Sequence, residues 1–289
     1  MTASPLLVQP DTEQEVAPGV HVIPDRRVNL VPNVGIVEGN TGVLVVDTGM
    51  GPANGRLVLE AARRRSGDRR LYLTLTHFHP EHGFGAQSFV DDATIVYNRA
   101  QADELAENGR EFIELFSGFA PEVAQLLEEV ELVQPHHTYE GRTELDLGGR
   151  TVELHEAGGA HTRGDQIVLL PAEGVLFAGD LVENRFFPIL FGDVADGPAW
   201  IETLDRLEAF GASTVVPGHG GVGGPELIRD VRTYLLEVRD EVADRLKGEA
   251  DVETIAAELA PAIRARYEAW DNPEWIDFAI KNFYRERSA

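Results

Sequence analysis

Between Leu73 and Gly85 the chain reads LTLTHFHPEHGFG, which sets His77, His79 and His82 within six positions and Glu81 beside the last of them. Only nine histidines occur in 289 residues, so this density is not background. Imidazole and carboxylate together are donors for zinc, manganese or iron. The apolar run LYLTLT leads straight into the cluster. Side chains two apart on a strand share a face, so His77 and His79 point the same way. The turn after them brings Glu81 and His82 to a second nearby point.

Three later loops follow the same grammar of apolar strand, small residues and a ligand-type side chain. His161 stands in GGAHTRGD, Asp180 ends LFAGD, and His219 stands in VVPGHGG. Asp47, in LVVDTG, obeys it too. Glycines beside each position let the backbone turn sharply and leave room for a metal and a substrate.

These loops need rigid elements behind them. GVHVIPD, NLVPNVGIVEG and TGVLVVDTG read as strands punctuated by turn residues. GPANGRLVLEAARRRSG reads as a helix, GFGAQSF as a short one and ATIVY as a strand. Residues 100–130 carry a helical pattern broken at Pro121, with Phe112, Phe116 and Phe119 on it, and form either a lid over the site or a packed hairpin. TELDLGGRTVELHEAG predicts a hairpin turning at Gly148-Gly149, and QIVLLPAEGVLFAGD a second turning at Ala172-Glu173-Gly174. GPAWIETLDRLEAFG is helical. Beyond Pro225, Leu227, Val231, Leu235, Val238, Val242 and Leu246 make one apolar stripe, and two shorter helical stretches follow. The expectation is a layered α/β sandwich of mainly antiparallel sheets covered by helices over residues 1–224, with residues 225–289 as a helical C-terminal extension packed on it.

Composition narrows the partners. Lys and Arg total 25 against 49 Asp and Glu, a formal charge of −24. So acidic a surface disfavours nucleic acid and anionic membranes, which need cations. The chain has no cysteine, which removes disulfides, thiol nucleophiles, iron–sulfur clusters and Cys-based zinc sites. MTASPLLVQPDTEQEV has no basic leader and no apolar run reaches 18 residues, so the cytoplasm is the expected location and no membrane span is expected. The oligomeric state stays open, a homodimer included.

The pieces VVDTG around Asp47, THFHPEH from Thr76, AHTRGD around His161, FAGD ending at Asp180 and PGHG around His219 occur in one order over residues about 20–222. In that order they resemble a metallo-β-lactamase-fold hydrolase. The resemblance implies an αββα sandwich with a metal site at one edge of its two sheets. It implies His77, His79 and His161 on a first metal, His82 and His219 on a second, and Asp180 bridging both. Asp47 would orient a ligand rather than bind metal. The family pattern has aspartate, a ligand of the second metal, where this chain has Glu81, so its motif is HxHxEH. The expected cofactor is two Zn²⁺ per chain, with Mn²⁺ or Fe²⁺ as alternatives, and Glu81 is expected to reach the second metal.

Two metals about 3.5–4 Å apart share a hydroxide and polarise a carbonyl or phosphoryl oxygen. Asp180 or Glu81 would carry the proton to the leaving group. The expected reaction is hydrolysis of a small-molecule ester, thioester, lactone, lactam or phosphoester. The rival on the same scaffold is an iron oxidoreductase, mononuclear or diiron, of the persulfide dioxygenase kind; a non-catalytic metal-dependent binding protein is a third. Arg185, Phe186 and Phe187 follow Asp180 in ENRFFPILFG and are candidates for a substrate pocket. His136 and His137 are read as loop or strand surface, and His21 and His155 as structural.

Overall fold

The computed structural model describes residues 5–192, 194–248 and 251–288. One sheet holds seven strands in sequence order: β1 (Gln14–Ala17), β2 (Val20–Ile23), β3 (Val34–Glu38), β4 (Gly42–Val46), β5 (Arg70–Thr74), β6 (Ala93–Asn98) and β7 (His137–Tyr139). The other holds β8 (Arg142–Asp146), β9 (Thr151–Glu156), β10 (Gln166–Leu170), β11 (Val175–Gly179) and β12 (Thr214–Pro217), in the order 12-11-10-9-8. The helices are α1 (Gly51–Ser66), α2 (Pro80–Gly83), α3 (Arg99–Ser117), α4 (Pro121–Leu127), α5 (Gly197–Ala209), α6 (Glu226–Leu246), α7 (Val252–Arg266) and α8 (Ile276–Ser288).

The layering follows from period-2 alternation in strands buried on both faces, which read in sequence as unbroken apolar runs. On β4, Leu44 and Val46 face the second sheet, while Val43 and Val45 face the cluster that includes Val58 of α1 and Leu105 of α3. On β10 and β11, Val168, Leu170, Val175 and Phe177 join the inter-sheet core. Their neighbours Ile167, Leu169, Leu176 and Ala178 face the core shared with α5, α6, α7 and α8. The order of layers is therefore helix, sheet, sheet, helix, as expected.

The sheets are mainly antiparallel, as expected, with six antiparallel strand pairs against four parallel ones among the described residues. β1 to β4 pair antiparallel, but β4–β5, β5–β6 and β6–β7 are parallel, as is β11–β12. Helical crossovers make these parallel pairings. β7, at the sequence pair His136-His137, closes the first sheet's edge, and His136 Nδ1 accepts from the Ile95 amide at 3.0 Å. No described helix is long and apolar enough to cross a membrane.

Residues beyond 225 do not form a core of their own. Leu227, Val231, Leu235, Val238 and Val242 of the predicted stripe are buried against the second sheet, in the same cluster as Leu176 and Val215.

Candidate metal centre

The parallel strands decide where the site lies. Asp47 follows β4, Thr76 to His82 follow β5, Asp180 follows β11 and His219 follows β12, so the C-terminal ends of four strands meet at one edge of the sandwich. His161 arrives from the β9–β10 loop. The backbones there come very close. A Cβ on Gly218 would lie 1.8 Å from Asp180 Oδ1. Gly179 has φ +53°, and its Cβ would meet Thr76 at 2.6 Å.

Three donor sets emerge, each with atoms within 4.8 Å of one another: His77, His79 and His161; His77, His82 and Asp180; Glu81, His82 and His219. All seven expected ligands are thus brought together. Asp180 lies between the groups. Its Oδ2 is 3.8 Å from His77 Nε2 and 3.7 Å from His161 Nε2, and its Oδ1 is 3.1 Å from His82 Nε2 and 3.9 Å from His219 Nε2.

Surrounding bonds aim the rings. Asp47 takes the Thr76 amide at 2.7 Å and the Thr76 hydroxyl at 2.8 Å, and lies 2.9 Å from His82 Nδ1. That leaves His82 Nε2 facing Asp180. Asp47 points at its neighbours rather than at the centre, as an orienting group would. Its own backbone is left-handed, with φ +66°, a conformation aspartate tolerates better than most residues. Ile189 O lies 3.2 Å from His161 Nδ1 and fixes that ring the same way.

Sequence reasoning assigned no role to Asp165. Its carboxylate accepts from the amides of Ala160, His161 and Thr162 and from the Thr162 hydroxyl, and so shapes the loop that carries His161. The signal was present in AHTRGD: an aspartate a few residues past a ligand is a common loop organiser.

Burial sets the charges. It pulls His77 and His79 well below the ordinary imidazole range, and His161 and His219 below it too. His82 is the exception: burial opposes its cation, but Asp180 and Asp47 outweigh burial and raise it. Burial works against the Asp180 carboxylate as well, yet His82, His219 and His77 hold it well below the usual range. Burial lifts Glu81 to about 7.

A divalent metal takes up neutral imidazoles and ionised carboxylates, the forms favoured at His77, His79, His161, His219 and Asp180, whereas His82 and Glu81 would release a proton to it. His79 Nδ1 and His161 Nε2 lie 3.0 Å from each other, but four other donor atoms lack employment. His77 Nε2, Glu81 Oε2, His82 Nε2 and Asp180 Oδ1 are buried with no hydrogen-bond partner, the 3.1 Å approach of the last two being an ion-pair contact without hydrogen-bond alignment. Orphaned polar atoms are costly in an interior, and four of them converging here fit a site built for metal.

The family pattern described as the metallo-beta-lactamase superfamily matches residues 28–219. The chain belongs to that superfamily. A metallo-beta-lactamase type 2 of Bacteroides fragilis is 36% identical over 110 residues, 37% of this chain and 44% of that protein. A linear primary-alkylsulfatase of Pseudomonas sp. (strain ATCC 19151) is 27% identical over 241 residues, 72% of this chain and 44% of the relative. The chain therefore spans less than half the length of these two superfamily relatives. Among solved structures, a metallo-beta-lactamase from Pontibacter korlensis superposes with TM-score 0.63 at 22% identity, covering 78% of this chain and 98% of its own. A sec-alkylsulfatase from Pseudomonas sp. gives TM-score 0.71 at 17% identity, covering 95% of this chain and 50% of its own. Both share the superfamily fold, and a coverage of 95% carries the second likeness into the C-terminal helices.

A cavity of about 510 Å³ opens above the centre, with His79, Glu81, Asp180 and His219 on its floor. Of the three candidates after Asp180, only Phe186 lines it. Phe187 is fully buried and packs against Tyr234 and Trp270, and the exposed Arg185 is not among the lining residues. Those two calls are corrected. Phe186 pairs with Asp271 in an isolated bridge, so its neighbour Phe187 faces the other way, whereas Arg185 sits on a left-handed backbone with φ +61°. Phe112, Phe116 and Phe119 of the helical insert do line the cavity, and the ring of Phe112 stacks on His79 with centroids 5.0 Å apart.

Proposed function

We propose that this chain is a metallo-hydrolase with two metal positions, zinc in both, acting on a small-molecule ester, thioester, lactone, lactam or phosphoester. The observation that carries this reading is Asp180 between two donor sets, with four buried atoms of His77, Glu81, His82 and Asp180 left unpartnered among them. His77, His79 and His161 would hold one ion and Glu81, His82 and His219 the other, with Asp180 shared. Glu81 belongs to the second set because its carboxylate comes within 4.8 Å of the His82 and His219 donor atoms. On this reading the added methylene relative to aspartate still lets the carboxylate reach the second ion.

Such ions would supply Lewis acidity toward the scissile group and lower the pKa of the attacking water. The protein's own residues do the rest. Asp47 and Ile189 hold two of the rings in the tautomer that frees Nε2. Asp180 and Glu81, on the cavity floor, are placed to take a proton from the attacking water and pass it to the leaving group. Phe112 and Phe116 keep solvent away from the floor, which strengthens each electrostatic contact there.

Metal analysis of the purified protein with a substrate panel tests this. p-Nitrophenyl esters, thioesters, lactones, nitrocefin and paraoxon would be assayed with Zn²⁺, Mn²⁺ and Fe²⁺. About two zinc per chain with turnover of one substrate class is expected. Inactivity of the metal-loaded protein across the panel would overturn the reading, as would oxygen uptake with persulfides by an iron-loaded form.

A further inference from the structure

We propose that the substrate, under the hydrolase reading on which this rests, carries a non-reacting arm that is apolar and uncharged to its far end. The cavity above the centre runs between α3 and the start of α8. Phe112 and Phe116 wall one side, and Trp275 and Phe278 of the C-terminal region wall the other. Its volume of about 510 Å³ falls in the range of sites that enclose a drug-sized molecule.

The aromatic surface does not stop at the mouth. Phe119 and Phe191, at 55% and 47% exposure, are the two most exposed large apolar side chains among the described residues, and both line this cavity. Exposed aromatic rings clustered at one opening mark a binding surface rather than scatter. An arm that reached the mouth would meet apolar surface along its whole length.

Charge excludes the alternatives. Among the described residues, no Lys or Arg lines this cavity, and its one charged side chain above the floor is Glu274. The adjoining cavity of about 270 Å³, which shares His79 and Phe112, is lined by Glu104 and Glu111 and again by no Lys or Arg. Arg27, which packs over Phe186 with its guanidinium carbon 4.7 Å from the ring centroid, is paired with Asp271. A carboxylate or sulfate carried away from the reacting group would therefore meet acidic and aromatic side chains with no counter-charge, in a chain of net charge −24.

The test compares three p-nitrophenyl esters on the zinc-loaded protein: acetate, octanoate, and the mono-ester of octanedioic acid, which matches octanoate in length but ends in a carboxylate. Octanoate is expected to exceed acetate in kcat/KM by about a hundredfold. The carboxylate-ended ester is expected to fall at least about tenfold below octanoate. Phe119→Asp and Phe191→Asp, at exposed positions that leave the core intact, should each cut the octanoate-to-acetate ratio about tenfold. A flat response to chain length, or preference for the carboxylate-ended ester, overturns the proposal. Failure to turn over any ester leaves the hydrolase reading to the rest of the substrate panel. The cavity is then judged by displacement of the neutral probe N-phenyl-1-naphthylamine. Octanol displacing it better than octanedioate supports an apolar, uncharged occupant, and the reverse order, or none, overturns it.

Discussion

The Asp47 carboxylate lies 2.9 Å from His82 Nδ1, and His82 Nε2 in turn lies 3.1 Å from Asp180 Oδ1. A residue pointing away from the centre thereby fixes the ring that faces it. Asp47→Ala is expected to weaken the second metal about 10- to 100-fold, because such supporting carboxylates set ring orientation and basicity. Competition with a chromophoric chelator measures it. An unchanged second affinity would remove Asp47 from the metal's support.

On the proposed two-metal reading, Glu81 would couple that same metal to pH. Buried without metal, its carboxyl is pushed up to about 7, so protons and the second metal compete for it near neutrality. Zinc stoichiometry should fall from two toward one as pH drops from 8 to 6, and Glu81→Asp should hold two over more of that range. The metal-free protein gives the opposite sign. A folded-state value above the ordinary 4.5 means that stability from the protonated form is fully present below 4.5 and is lost as pH rises through about 7. Glu81→Gln should therefore be more stable than the parent apo-protein above pH 7 by on the order of 3 kcal/mol, with the gap closing toward pH 4. Chemical denaturation at both pH values reads it, and a gap of opposite slope would refute the assignment.

Gly218 controls Asp180 by leaving space. Its Cβ would fall 1.8 Å from Asp180 Oδ1, so Gly218→Ala must displace the carboxylate shared by the two donor sets. A misplacement of about 1 Å costs roughly a hundredfold in rate. The expected result is that loss in kcat/KM, with metal content reduced, in a protein whose far-ultraviolet circular dichroism is unchanged.

Removing metal should also lower thermal stability. Stripping with a chelator takes the partner away from four orphaned buried atoms. A drop in Tm on the order of 10 °C is expected, reversed by adding zinc. A scan that does not respond to zinc would count against the site.

Much of this was legible because ligand loops follow apolar strands: each of the seven donors sits at a position that the motif grammar named. Doubly buried strands such as VLVVDTG were visible for the same reason, as uninterrupted apolar runs. Parallel pairing was not visible, since strand period is the same in both directions and only the crossover helices distinguish them. Phe186 and Phe187 were indistinguishable in sequence because neighbours on extended backbone face opposite ways. Trp275 and Phe278 were missed because the chain segment that carries them lies more than fifty residues beyond the last motif, and only packing of α8 on α6 returns it to the cavity.

The donors are divided between the two sheets. His77, His79, Glu81 and His82 hang from the first, and His161, Asp180 and His219 from the second. Neither half owns a complete set as grouped in the fold, so the full complement of donors for each ion assembles only when the sheets dock across their shared apolar layer. In a chain with no cysteine, ions held there would act as the fastener that a disulfide provides elsewhere, tying segments near residues 77 and 219. Metal uptake during refolding would then time the meeting of the two halves rather than the formation of either one.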